Sequence, residues 1–138
     1  MAMTIPPPGA TPRLNTLRLY LVLLASFTLF WWPLSHWFYP DWYHHLLGFT
    51  HYDYALVKII GTLGVMPVLG MLFVARDPLR NRDLLITLLL LFTLFALTDI
   101  FLITTHGFPR REWINVALLL CNSALLAGLY PWTQARTT

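Results

Sequence analysis

Charge is scarce in this chain, and that scarcity is the first constraint on what it can be. Only 11% of its residues are Asp, Glu, Lys or Arg, against ~25% in a soluble domain, so a water-facing globular surface cannot be assembled from them. Cysteine is nearly absent. Cys121 stands alone among 138 residues, which excludes an intrachain disulfide and a thiolate metal site. Its expected role is that of a small buried packing residue in an apolar helix. A phosphate loop, a nucleophile elbow and a paired-carboxylate site are missing too, and Ser123 has no base at any helical spacing, so a hydrolase reading has no support. The formal net charge of +3 comes from basic residues scattered among the ends of apolar runs instead of forming a stripe, which argues against nucleic acid as a partner.

What is present is hydrophobic sequence. Apolar residues make up 57% of the chain and collect in four runs, residues 17–34, 54–74, 84–103 and 113–130. Each is about as long as the ~20 residues that cross a ~30 Å hydrocarbon layer in a helix. Backbone in lipid must satisfy its own hydrogen bonds, so the runs are predicted to be α-helices. The expected fold is all-α: a four-helix transmembrane bundle forming one membrane domain. Residues 1–13, with consecutive Pro6, Pro7 and Pro8, are expected to be a flexible leader. Trp31, Trp32 and Pro33 after the first run are no signal-peptide cleavage site, so that helix is expected to be retained.

Four spans put both termini on one side. Arg13, Arg18, Arg76, Arg80, Arg82 and Arg136 fall near that side, and only Arg110 and Arg111 near the other. This asymmetry predicts cytoplasmic N- and C-termini. The hairpin ARDPLRNRD (residues 75–83) is Arg-rich and suits lipid headgroups.

The opposite face holds all five histidines, His36, His44, His45, His51 and His106, together with much of the Trp and Tyr. Its outer loop, residues 35–53, is predicted to contain a short interfacial helix, N-capped by Asp41 and stopped at Gly48. Pro33, Pro40 and Gly48 prevent the stretch 31–54 from being a single helix. Trp37, Trp42, His44, His45 and His51 are candidates for an outer docking surface, although an aromatic belt at the headgroup level explains the same composition. The neighbours His44 and His45 point to different helix faces, and no zinc-type His spacing occurs, so no metal is expected. Haem ligation needs His on two spans, and only His36 and His106 come near span ends.

Two ionisable residues lie inside the runs. Lys58 and Asp99 come to rest ~8–9 Å below the outer boundary on consecutive helices, and opposite charges at matched depth are expected to form an ion pair facing the bundle interior. The pair either sets helix registry or floors an outward-opening pocket to which Thr62, Thr98, His106 and Asn115 contribute. Gly61, Gly64 and Gly70 in the second run, and Ala117, Cys121, Ala124 and Gly128 on one face of the fourth, predict that these two helices are central. The third run offers its leucines to lipid. Pro67 is expected to kink the second helix, and Asn122 to bond across to Ser26 or Thr28.

Residues 59–85 (IIGTLGVMPVLGMLFVARDPLRNRDLL), a glycine-rich apolar helix running into an A-R-D-P turn, a basic residue and a third span, resemble the corresponding region of BphX-like and DoxX-like four-helix membrane proteins. The resemblance covers about a fifth of the chain. It implies a bacterial inner-membrane protein, sometimes linked to respiratory or aromatic-degradation systems.

Two functions fit these features. One is a non-enzymatic subunit or accessory protein that joins other membrane proteins, or itself, in the bilayer. The other is a small redox or transport component binding a quinone, pigment or other hydrophobic ligand near the outer face; no cofactor is otherwise expected.

Overall fold

The computed structural model describes residues 10–131. Residues 1–9 of the leader and Arg136 lie outside them. Among the described residues the structure is all-helical, with four stretches long and apolar enough to cross a membrane: Pro12–Phe38, Tyr54–Arg76, Arg82–Thr105 and Arg110–Leu129.

The first stretch is longer than its apolar run. α1 (Ala10–Leu29) absorbs part of the expected leader, passes through a π-helical turn (Phe30–Leu34) and continues as α2 (Ser35–Phe38). Pro33 does not end the helix, because the wider turn accommodates its missing N–H. The side chains just beyond it bond back to carbonyls of the same turn. Ser35 Oγ donates to Trp31 O (2.7 Å) and Trp32 O (3.0 Å), and His36 Nδ1 donates to Trp32 O (2.8 Å). The outer loop is correspondingly shorter than expected.

A short helix, α3 (Pro40–Leu47), does follow between the first two spans. Its first position is Pro40, preceded by Tyr39, so Asp41 sits in the first turn instead of capping it. Gly48 ends the helix at φ +94°, and the amides of Gly48 and Phe49 close onto His45 O and His44 O. This is the left-handed stop for which glycine is suited.

The second span is two helices. α4 (Tyr54–Leu63) is N-capped by Asp53, whose Oδ1 accepts from Ala55 N and Leu56 N at 2.7 and 3.1 Å. It gives way at Gly64 to α5 (Val65–Arg76). The break lies one residue after Leu63, whose carbonyl is the one Pro67 cannot pair with in a continuous helix. Gly61 and Gly64 let α4 close onto the first span: a Cβ on Gly61 would meet His36 Cβ at 2.7 Å, and one on Gly64 would meet the Trp32 ring at 2.9 Å. α6 (Arg82–Thr105), a 3-10 turn (Arg110–Glu112) and α7 (Trp113–Leu129) complete the chain.

α5 packs against α1 and α6, and α6 against α7. The main apolar core joins Leu17, Leu21 and Leu24 to Met71, Val74, Leu85, Leu88, Phe92 and Leu126. Arg13 donates to Gly128 O (2.6 Å) and Tyr130 O (2.9 Å), bringing the start of the first span and the end of the fourth to the same end of the bundle. Arg82 donates to Pro131 O (3.0 Å) and lies over the Tyr130 ring.

Two packing expectations are corrected. The fourth span is not central through its small residues: Ala117, Cys121, Ala124 and Gly128 are all exposed, while Val116, Ser123 and Leu126 face inward. Cys121 is therefore no buried packing residue. Asn122 does bond to the first span, but to Tyr20 at 2.5 Å, and Ser26 is used by its own helix through Val22 O.

Candidate functional site

Among the described residues, polar and aromatic side chains gather at the end of the bundle opposite the α5–α6 hairpin, where the first span, α3 and the start of the fourth span meet. Asn115 is its hub. Its Oδ1 accepts from Trp31 Nε1 (2.8 Å), and its Nδ2 donates to Glu112 Oε2 (2.7 Å) and to the Tyr43 hydroxyl (3.3 Å). Three segments distant in sequence thus share one amide. The Glu112 side chain is only 7% exposed. A buried carboxylate is costly unless hydrogen-bonded, and the amide one helical turn away supplies a donor. Arg111 fixes the same junction from outside by donating to Leu46 O (3.3 Å).

Next to this network, aromatic and imidazole rings stack outward. His36 and Tyr43 have ring centres 4.7 Å apart, His36 and His44 5.5 Å, and His44 and Tyr52 4.1 Å with the planes nearly parallel. His44 Nδ1 lies 2.8 Å from Pro40 O. A carbonyl can only accept, so this nitrogen carries the hydrogen. Burial pushes the His44 pKa below its ordinary value, against the pull of that carbonyl and of Asp41. Burial likewise raises the Tyr43 phenol. Farther out, Tyr52 and Tyr54 both donate to Asp41 Oδ1. The two hydroxyls, Tyr52 foremost, hold the Asp41 carboxyl below its ordinary value. An open cavity of about 330 Å³ lies here, lined by Asp41, His45, Thr50, His51, Tyr52 and Tyr54.

The expected Lys58–Asp99 ion pair is not formed. Lys58 Nζ donates to Trp37 O and lies 5.2 Å from the centre of the Trp37 ring. The half-buried Asp99 makes no hydrogen bond or ion pair among the described residues. The cause is that α4 packs on α2, closely enough at Gly61 that a Cβ there would meet His36. Lys58 therefore faces the end of the first span. Matched depth was not matched direction.

The expected pocket residues have separate surroundings. Thr62 is exposed, accepting from Trp37 Nε1 (3.1 Å) and donating to Lys58 O (2.9 Å). Thr98 is exposed and returns its hydroxyl to Leu94 O. His106 is exposed beside Thr105 and Phe101. Only Asn115 joins the buried network. Among the docking candidates, Trp37, Trp42, His45 and His51 are exposed, whereas His44 is buried at 8% exposure and cannot meet a partner directly. Glu112 was not anticipated as a functional residue. Its signal was local: Glu112 and Asn115, three apart, share a helix face. Tyr43 gave none, since its partners Trp31 and Asn115 lie on other helices.

Among the described residues no group of three or more His, Cys, Asp or Glu is arranged to hold a metal ion. The polar atoms of the Trp31–Tyr43–Glu112–Asn115 network bond to one another, and the buried Ser35 hydroxyl beside it lies 3.2 Å from His36 Nδ1, a nitrogen that carries its hydrogen toward Trp32 O. The arrangement ties helices together at one end of the bundle. Compared with protein-family models, with curated proteins and with solved structures, the chain matches none.

Proposed function

We propose that this chain is a non-enzymatic subunit or accessory protein of a larger membrane complex, residing in a bacterial inner membrane with both termini in the cytoplasm. The observation that carries this reading is the outward face of α7. Ala117, Cys121, Ala124 and Gly128 line one side of the helix, all exposed, and among the described residues nothing lies within 4 Å of where a Gly128 Cβ would be. In lipid, helices associate through close backbone approach, which small residues permit and leucines prevent. A face of this kind left uncovered by its own bundle suits a helix of another chain. Exposed Phe30, Trp37, Phe38 and Trp42 extend apolar and aromatic surface around the outer end of the first span.

The orientation rests on the arginine asymmetry, and the bacterial inner-membrane setting on the resemblance of residues 59–85 to BphX-like and DoxX-like proteins. A ligand-binding redox or transport role draws less support, because Lys58, Asp99 and His106 have separate neighbours.

The test is purification into nanodiscs with mass spectrometry of every retained chain, alongside oxidative cross-linking in native membranes through the lone Cys121. Retained chains, or a Cys121 cross-link, lost on Ala124→Phe and Gly128→Leu replacement is the expected outcome. A chain isolated alone, with no Cys121 cross-link before detergent is added, would sink the reading.

A further inference from the structure

Apart from the exposed Arg18 of α1, the described arginines toward the hairpin end of the bundle divide into two groups. Arg13 and Arg82 are committed to the end of α7, through Gly128 O, Tyr130 O and Pro131 O. Arg76 and Arg80 are exposed, and their guanidinium groups donate to no acceptor among the described residues. With Phe73, Asp77 and Asn81 they line an open cavity of about 450 Å³.

The hairpin holds its own shape without those two side chains. Asn81 Nδ2 donates to Phe73 O (3.1 Å) and Asp77 O (2.9 Å), and Asp77 Oδ1 accepts from the Arg80 amide (3.1 Å). The cavity is left with two guanidinium charges against one carboxylate. Toward the middle of the span, α5 exposes Met66, Leu69 and Phe73, three and four residues apart and so along one stripe. An apolar track thus runs out of the hydrocarbon depth and ends at a pair of cations.

That sequence of surfaces has the polarity of a phospholipid. Guanidinium forks pair with phosphate oxygens through charge-assisted bonds. Excess positive charge at the same spot repels a choline headgroup while accepting a net-negative one. We propose that the α5–α6 hairpin binds an anionic phospholipid, its phosphate between Arg76 and Arg80 and an acyl chain along Met66, Leu69 and Phe73. The site is independent of the α7 face and stands whether or not the chain has a protein partner.

Native mass spectrometry of the full chain, released from bilayers of equal phosphatidylglycerol and phosphatidylcholine with matched acyl chains, tests it. Phosphatidylglycerol is expected to be retained in roughly thirtyfold excess, the order that two arginines near an anionic surface supply. The Arg76→Gln, Arg80→Gln double variant brings the ratio to parity, and Arg110→Gln at the opposite end leaves it unchanged. Excess inorganic phosphate is expected not to displace the lipid; displacement would make this a free-anion site and overturn the lipid assignment. Equal retention of both lipids by the native chain, or an undiminished preference in the double variant, overturns it as well. If that variant is not recovered folded, salt decides: an exposed charge pair is screened, so a preference in the native chain that ignores ionic strength refutes the proposal.

Discussion

The hydroxyl of Tyr20 donates to Asn122 Oδ1 at 2.5 Å, while Asn122 Nδ2 returns to Leu118 O on its own helix. One side chain thus joins the first span to the fourth and anchors itself at the same time. Removing the hydroxyl by Tyr20→Phe is expected to cost about 0.6 kcal/mol, the average for a hydrogen bond between helices in a membrane. Ser26→Ala should cost less. A double-mutant cycle of Tyr20→Phe with Asn122→Ala, read from unfolding in mild detergent, checks the assignment; additive effects would refute it.

Asn115 carries more. Asn115→Leu orphans the Trp31 indole and deprives the buried Glu112 of its donor at once, so a loss of about 1–3 kcal/mol is expected. Glu112→Gln keeps an acceptor oxygen facing Asn115 and should be milder. The same melts measure both, and an Asn115→Leu variant as stable as the native chain is the contrary result.

Lys58 and Asp99 should be energetically independent. With Lys58 on the Trp37 carbonyl and ring, the effects of Lys58→Leu and Asp99→Leu are expected to add within about 0.5 kcal/mol, as for residues that share no partner. Coupling well beyond that would restore the ion pair.

Glycines separate in the same way. Gly61→Ala drives a methyl against His36 Cβ, where neither backbone nor Cβ can yield easily, and about 1–3 kcal/mol of overpacking is expected. Gly128→Ala meets open space among the described residues and should leave folding intact. Thermal unfolding of the two variants side by side gives the comparison.

Acid should loosen the outer segment in two steps of the same sign. His44 has its folded pKa lowered from 6.5 by burial, so the unfolded chain binds the extra proton first and stability begins to fall as pH drops below about 6.5. Asp41 has its carboxyl lowered from 3.8 by the Tyr52 and Tyr54 hydroxyls. Its contribution is complete above the ordinary carboxylate value and is lost as pH falls through the lower folded one. Tyrosine resonances of residues 52 and 54, followed from pH 8 to pH 2, report both steps. His44→Gln is expected to flatten the first and Asp41→Asn to remove the second.

Several features were readable along the chain because they are one-dimensional. A run of apolar residues as long as a bilayer is thick can be found by counting, and all four membrane-capable helices coincide with such runs. Gly48 marked the end of the short outer helix because a left-handed stop is a local backbone requirement. Pro33 was misleading for an equally local reason: proline forbids one hydrogen bond, and a π turn accommodates that restriction without ending the helix.

Helix rotation left no such mark. A helix surrounded by lipid and by other apolar helices can turn either Leu or Ala outward at little cost, so the face with Ala117, Cys121, Ala124 and Gly128 could be read inward and yet lies outward. Length and hydrophobicity alone determined that this chain is built of four membrane-length helices, since the cost of unpaired backbone in hydrocarbon admits little else. Only the tertiary structure decided that Lys58 meets Trp37, that Tyr20 meets Asn122, and that Trp31, Tyr43, Glu112 and Asn115 form one network. The first of these follows from how closely Gly61 lets α4 approach the end of the first span, the others from how the first and fourth spans are rotated against each other, and no count of residues along the chain contains that geometry.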